Sequence, residues 1–286
     1  MIAQNLKIRI SPFIKYKKVQ ASLQAKILYW SSKYPWYLMN FNFFKNNNKS
    51  YPLDYAVLKA DMHAHLLPGI DDGAVSMQNT LELISGLKHL GYTTLITTPH
   101  IRWDMFKNTP DGIQKQLDLV RAELSKNKID IALHAAAEYY LDDYVSRLLK
   151  TNQPLLTLKG NMVLVEFSFM HLSGNMKEVL FDVQMAGYQP VIAHPERYTY
   201  LHKNYEALHE FKENGCMFQL NLLSLSSQYG KVVLEMANYL ADHDFYDFAG
   251  TDLHHRRHLE ALKSLKVSEK IHTLLTGDRL LNKTLS

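Results

Sequence analysis

Hydrophobic and polar positions along this chain fall into alternating blocks. From residue 57 onward, short apolar or β-rich runs end in polar residues, and each gives way to a stretch with helical spacing of its apolar positions. The runs are VLKADMH (57–63), TTLITTPH (93–100), IDIALHAAAE (129–138), MVLVEF (162–167), PVIAH (190–194), CMFQLN (216–221) and FYDFAGTD (245–252). Near-continuous apolar runs of this length are the pattern of parallel strands buried on both faces. Between them, Ser76 is an N-cap for MQNTLELISGLKHL, whose Met77, Leu81, Ile84 and Leu87 share one face and whose end is marked by Gly91. Thr109-Pro110 opens a second helix with Ile113, Leu117, Val120 and Leu124 in register. Further helices are expected over 175–186 and 205–214, stopped by Gly187 and Gly215, and over 231–242 and 259–266. Repeated strand–helix units imply right-handed crossovers and a parallel α/β sheet, either open and doubly wound or closed into a barrel. In both, ligands gather at the C-terminal strand ends. No GxGxxG or GxxxxGKS occurs, which counts against nucleotide-cradling versions.

The strand ends carry the chemistry. The first run delivers Asp61, His63 and His65, the second His100, the third Glu138, the fourth Glu166, the fifth His194, and the seventh Asp252 and His254. A single histidine or glutamate at such a place is ordinarily a hydrogen-bonded structural residue. Six strands delivering them to one edge is different, because crowded carboxylates repel and are costly to bury. Divalent cations relieve both costs. Imidazole and carboxylate donors suit Mn, Fe or Zn, and eight or nine donors exceed the needs of one ion. Two or three ions sharing a bridging carboxylate fit better.

Composition narrows the setting. The chain has 286 residues, 47% hydrophobic and 21% charged, as expected of a globular protein with one large α/β domain or two small ones. It contains no apolar run of transmembrane length. The single cysteine, Cys216, excludes a disulfide framework and points to the cytoplasm. The net charge of +4 is unevenly placed: nine basic residues precede the first acidic one, Asp54. The remainder holds 23 basic against 28 acidic residues, a balance of −5. Nucleic-acid binding is therefore not expected. Residues 1–53 read as a basic extension, poorly ordered or partly helical, with 54–286 as a single domain; an amphipathic surface-associating segment and a translation start at Met39 are the other readings of the extension.

The motifs DMHAHLLPGIDDGA, TTPH, AAEYYL, VLVEFSF, VIAHPERY and GTDLHH occur in this order. Together they resemble the PHP (polymerase and histidinol phosphatase) superfamily, and more closely its branch of bacterial capsule-linked, manganese-dependent protein tyrosine phosphatases. The resemblance covers about residues 55–265. It implies a distorted seven-stranded (β/α) barrel with a trinuclear metal site at the C-terminal strand ends. By position, it implies one ion on His63, His65, Glu138 and Asp252, and a second sharing Glu138 and adding His194 and Glu166. A third falls to Asp71, His100 and His254; Asp72 could replace Asp71, which is favoured by its spacing to His65. Arg197 in HPERY is implied as a catalytic and phosphate-binding residue, with an ion pair to Glu196 as its structural alternative. Arg256 is a second catalytic candidate and Arg257 a further substrate-binding one; Arg102 is weaker.

Clustered ions need no protein nucleophile, and Cys216 lacks the CxxxxxR signature, since Leu222 stands where its arginine would fall. His89, His134, His209 and His255 read as structural, His171 could reach the rim, and Tyr139, Tyr140, Tyr198 and Tyr200 could form an aromatic mouth. The resemblance implies a cytoplasmic phosphatase acting on phosphotyrosine in proteins, with a tyrosine kinase of a capsular or exopolysaccharide system as substrate. Manganese is the first expectation among two to three ions, and homo-oligomerisation is open. The competing readings are a small-molecule phosphoesterase acting on histidinol phosphate or a nucleotide, and a non-catalytic metal-binding regulatory barrel.

Overall fold

A computed structural model of the chain describes residues 49–170 and 176–286. The basic extension up to residue 48, the alternative start at Met39 and His171 lie outside the described residues. Among the described residues no helix is long and apolar enough to cross a membrane.

Each of the seven apolar runs contains strand at its expected place, and these strands pair in parallel. After a short β1 (Ser50–Pro52) come β2 (Ala60–Ala64), β3 (Thr94–Thr97), β4 (His100–Ile101), β5 (Ala132–Ala135), β6 (Glu138–Tyr140), β7 (Met162–Glu166), β8 (Gln189–Ala193), β9 (Met217–Asn221) and β10 (Phe248–Gly250). They form a six-stranded sheet ordered β10-β9-β8-β7-β6-β4 and a three-stranded sheet ordered β2-β3-β5. Two runs expected as single strands are thus each divided, the second into β3 and β4, the third into β5 and β6. Pro99 has no N–H to give a ladder, and the Thr98 N–H before it turns to the Ala64 carbonyl at 2.7 Å. Ala64 and Leu253 form a parallel bridge beyond β10. There the His65 N–H donates to the Leu253 carbonyl (2.9 Å) and the Asp252 N–H to the His63 carbonyl (2.7 Å).

The helices form where capping groups meet amphipathic periodicity. In α1 (Met77–Leu90) the Ser76 side chain accepts the Asn79 N–H, and Gly91 ends the helix at φ 111°. In α2 (Pro110–Lys126) Thr109 accepts the Gly112 N–H. The unexpected α3 (Asp143–Lys150) is capped by Asp142 and packs Val145, with Tyr144, Leu148 and Leu149, against the core; eight residues are too short a run to be legible. Next come α4 (Met176–Met185), α5 (Tyr205–Glu213) and α6 (Lys231–Asp242). The α7 helix (Arg256–Ser264) begins three residues before the periodicity predicts, because the His255 side chain accepts the His258 N–H as a cap. Residues past Ser264 leave the helix for β11 (Lys266–Ser268), which pairs antiparallel with β1 before α8 (Glu269–Thr276). That pairing ties Ser50–Pro52, which precede the expected domain boundary, to the C-terminal part of the chain.

Apolar side chains divide into two clusters. The larger lies between strands and helices. The smaller gathers Ala60, Met62, Ile96, Ala136, Leu164, Val191, Ala193 and Phe248 from successive strands, with Leu158 and Leu285 packed against them. Glu138 and Glu166 stand two residues after Ala136 and Leu164, so strand alternation stacks them on this inner cluster. In β2 a register shift between Asp61 and Ala64 falls where Met62 of the inner cluster gives way to His63.

The C-terminal residues seal the other end of the inner cluster. The buried Asn282 accepts the Ala249 N–H (2.9 Å) and donates to the carbonyls of Ala60 (3.0 Å) and Ala249 (2.6 Å). Replacing Asn282 with Ala strands these backbone groups in the interior. Asn282→Ala is expected to lower unfolding stability by about 2–4 kcal/mol, read as a fall in the urea midpoint; an unchanged midpoint would show that the seal is dispensable.

Candidate metal centre

His63, His65, Glu166, His194, Asp252 and His254 sit near or past the C-terminal end of a strand, while His100 and Glu138 open the short β4 and β6 that continue the second and third runs, and the fold brings them into one layer. His63, His65, Glu138 and Asp252 are essentially inaccessible, as are Glu166 and His194. Glu138 is the hub. Its Oε2 lies 3.2 Å from His63 Nε2, 3.4 Å from His65 Nε2 and 3.2 Å from His100 Nδ1, and its Oε1 lies 3.2 Å from His194 Nε2. Glu166 stands 3.8 Å from both His100 Nδ1 and His194 Nε2. Asp252 Oδ1 is 3.4 Å from His63 Nε2, 3.5 Å from His65 Nε2 and 3.4 Å from His254 Nδ1.

Among the described residues, four overlapping sets have donor atoms within 4.8 Å of one another: His63, His65 and Glu138; His63, His194 and Asp252; His100, Glu138 and Glu166; and His65, Asp72, His100 and His254. The fourth set contains Asp72, not the favoured Asp71. Asp72 Oδ1 is 3.6 Å from His100 Nε2 and 3.4 Å from His254 Nε2. The Asp71 oxygens are committed elsewhere: Oδ2 to His65 Nδ1 (2.7 Å) and the His100 N–H (3.1 Å), Oδ1 to the Gly73 N–H (3.0 Å). Asp71 therefore orients His65 and leaves its Nε2 facing the cluster.

The donor set fits divalent ions by an internal test. The Nε2 atoms of His63 and His65 face each other at 3.3 Å with carboxylate oxygens around them. His100 Nδ1 and Glu138 Oε1 are buried without a hydrogen-bond partner of good geometry. Such unpaired atoms are costly unless a cation takes their lone pairs. Electrostatics show the same demand. Burial pushes the Glu138 carboxyl up, but His63, His100 and His194 outweigh it and hold the group well below the ordinary range. Asp252 is likewise held low against burial by His63, His254, His65 and Arg197. Burial and the neighbouring Glu138 instead drive Glu166 well above it. His194 falls to about 4 through burial and the Arg197 charge. Despite burial, His65 is raised by Asp71, Asp252 and Glu138, and His63 by Glu138 and Asp252.

Backbone geometry aims these groups. His194 (φ 32°) and Asp252 (φ 50°) both occupy the left-handed region, re-aiming side chains as their strands end. Gly73 and Gly250 permit close approach: a Cβ would lie 2.4 Å from His65 Cβ at the first and 2.7 Å from His63 Cβ at the second.

The sixth run supplies no ligand candidate, yet it orients the candidates of its neighbours. Gln219 Oε1 accepts from His63 Nδ1 (2.9 Å) and the His194 N–H (3.2 Å), and Asn221 Nδ2 donates to Asp252 Oδ2 (2.8 Å). Asp61 holds the Thr251 N–H at 2.9 Å and its hydroxyl, joining β2 to β10. Gln219 and Asn221 were legible only as polar positions at the end of an otherwise apolar strand.

Arg197 NH1 donates to Asp252 Oδ2 at 2.7 Å, with its guanidinium between Phe169 (4.7 Å) and Tyr229 (4.5 Å). Its alternative partner Glu196 faces inward, accepting the Asn221 N–H and the Tyr246 hydroxyl. Arg102 pairs with Asp104. Arg256 and Arg257 are exposed and line a groove beside Asp72 rather than joining the cluster. Of the expected aromatic mouth, Tyr139 and Tyr198 are buried and bond backbone groups. The rings flanking the cluster are Phe106, stacked on His100 at 5.5 Å, and Phe169, stacked on His194 at 5.6 Å. Their loops carry no periodic signal.

The family described as "Capsular polysaccharide synthesis, CpsB/CapC" matches residues 59–272. The chain is 30% identical over 212 residues to tyrosine-protein phosphatase YwqE of Bacillus subtilis (strain 168), covering 73% of this chain and 84% of that protein. It is 31% identical over 202 residues to tyrosine-protein phosphatase CpsB of Streptococcus pneumoniae, covering 68% and 82%. It also resembles a solved structure from work on YwqE and CpsB as unique metal-dependent tyrosine phosphatases, with TM-score 0.68 and 27% identity over 79% of this chain and 90% of that one.

Two outcomes follow from the geometry. Asp71→Asn is expected to weaken metal affinity about 10- to 100-fold while keeping the number of ions, whereas Asp72→Asn is expected to lose an ion in equilibrium dialysis with elemental analysis; the reverse pattern would restore Asp71 as the ligand. Loading is also expected to weaken as pH falls. Imidazoles bind metal only when neutral, and His63 and His65 hold protons to higher pH than the ordinary value of about 6.5. Affinity measured from pH 8 to pH 6 should therefore drop, and a flat profile would remove these histidines from the ligand set.

Proposed function

The chain belongs to the CpsB/CapC family of capsular polysaccharide synthesis, and from that premise we propose that it is a metal-dependent tyrosine-protein phosphatase. The observation that carries this reading is the Glu138 carboxylate within 3.2–3.4 Å of four imidazoles, a set of donors that would suit divalent cations. The seven strand runs are read as one distorted barrel, closed through the Ala64–Leu253 bridge and divided by local breaks at Thr98-Pro99 and Ala136-Ala137. On this reading two to three ions are held by His63, His65, His100, Glu138, Glu166, His194, Asp252 and His254, with Asp72 in the place first given to Asp71. Manganese is favoured, with iron or zinc as alternatives of similar donor preference. The substrate is a phosphotyrosine protein of a capsular or exopolysaccharide system, a tyrosine kinase in particular, and the reaction takes place in the cytoplasm.

When bound, the ions supply a hydroxide near neutral pH and neutralise charge on the phosphoryl group. The chain's own residues do the rest. Asp71 and Gln219 fix the ring orientations of His65 and His63, so that Nε2 faces the centre in each. Arg197, clamped between Phe169 and Tyr229, holds a planar cation at the edge of the cluster, suited to phosphoryl oxygens. Phe106 and Phe169 border the centre with aromatic rings that suit the phenol ring of the departing tyrosine.

Metal-replete protein is expected to release phosphate from phosphotyrosine peptides, and chelation to abolish this until Mn is restored. Release from histidinol phosphate or a nucleotide alone would favour the small-molecule reading. Arg197→Ala is expected to lower kcat/KM by about 100- to 1,000-fold in the same phosphate-release assay while ions remain bound. A variant of unchanged rate would remove Arg197 from the reaction.

A further inference from the structure

Among the seven described arginines, five have partners: Arg102 with Asp104, Arg121 with Asp118, Arg197 with Asp252, Arg279 with Asp244, and Arg147 over the rings of Trp103 and Tyr144. Arg256 and Arg257 have neither a carboxylate nor a ring partner among the described residues. Both are exposed, and both line an open groove of about 620 Å³.

The groove adjoins the candidate metal centre through Asp72. Asp72 lines it and also belongs to the set with His65, His100 and His254. His255, next to the candidate ligand His254, lines it too. From there it follows the first turns of α1, past Ser76, to Glu82, with the start of α7 contributing Arg256 and Arg257. The two helices meet closely at Gly86, where a Cβ would stand 2.1 Å from Leu259 Cδ2. Their N-terminal ends, the positive ends of the helix dipoles, both border the groove.

One of its two acidic residues, Asp72, is already engaged. Asp72 faces His100 and His254, whose pull outweighs its burial and lowers its carboxyl to about 2. Glu82 accepts the Gln78 amide at 3.4 Å. Glu82 has no cationic partner, so two unpaired guanidiniums share the groove with one unneutralised carboxylate.

We propose that this groove docks a carboxylate-bearing residue close in sequence to the phosphotyrosine of a peptide substrate, held by Arg256 and Arg257. The proposal rests on the phosphatase reading and adds a sequence preference to it. It gives these arginines a role in selecting the peptide rather than in the reaction at phosphorus. Because they are exposed, their contribution is modest and screened by salt.

The test uses the metal-replete full chain with p-nitrophenyl phosphate and three phosphotyrosine peptides: one with neutral flanks, one acidic on the N-terminal side and one acidic on the C-terminal side. One acidic peptide is expected to show a KM about 3- to 10-fold below the neutral peptide at low salt, with the gap narrowing as salt rises. The Arg256→Ala/Arg257→Ala protein should lose that gap, its KM for the acidic peptide rising to that for the neutral one. The corresponding double Lys variant should retain part of the gap. Equal KM for all three peptides overturns the proposal, and so does a double Ala variant whose turnover of p-nitrophenyl phosphate falls as far as that of the peptide. A doubly phosphorylated peptide that gains where both acidic peptides do not would assign the groove to phosphate and also overturn it. If wild-type protein hydrolyses no phosphotyrosine, the phosphatase reading fails and the docking proposal with it; turnover without acidic preference sinks the docking proposal alone.

Discussion

A carboxylate taken wholly out of water and surrounded by four imidazoles constrains the rest of this molecule. Glu138 cannot be buried there alone, because burial penalises its charge. His63 and His65 come from one strand run, His100 and His194 from two others and Glu138 from a fourth, so the strand ends must converge for its charge to be tolerated. The apolar layer beneath makes that convergence rigid: Ala136 and Leu164 fill the inner cluster two residues before Glu138 and Glu166 rise from it. Substituting a ligand residue would alter this balance of charge as well as the donor set.

Much of this was legible in the amino-acid sequence because parallel strands buried on both faces leave a strong signal. All seven runs contain strand, and His63, His65, His100, Glu138, Glu166, His194, Asp252 and His254 lie in one layer. What escaped has physical reasons. Strand periodicity cannot distinguish Asp71 from Asp72 in a loop, where the backbone turns that give Asp71 to His65 are set by Gly73 and its neighbours. Gln219 and Asn221 escaped because neither is a typical metal ligand, although they hold groups that are. The short α3 and the β1–β11 pair contain too few residues for periodicity to register.

The same division appears between reacting and orienting groups. The strand run without a ligand candidate carries the amides that fix its neighbours, and the left-handed residues His194 and Asp252 occur where a strand must turn a side chain inward. In this layer two left-handed residues, two close glycine contacts and the buried amides of Gln219 and Asn221 act on the same side chains. Arg256 and Arg257 lie outside this layer, at the start of a helix, where substitutions can alter a surface without disturbing the cluster.

His63 and His254 belong to one cluster although almost two hundred residues separate them along the chain. The unfolded chain offers no such arrangement, so cations that bind it are thermodynamically linked to folding. Occupancy at a hundred times the dissociation constant adds about 2.7 kcal/mol per independent site, a large fraction of the stability of an ordinary domain. Metal supply therefore governs how much of this protein persists in a cell as well as how fast it works. Starvation for the ion would register as lost abundance, through proteolysis of the opened chain, alongside the lost chemistry.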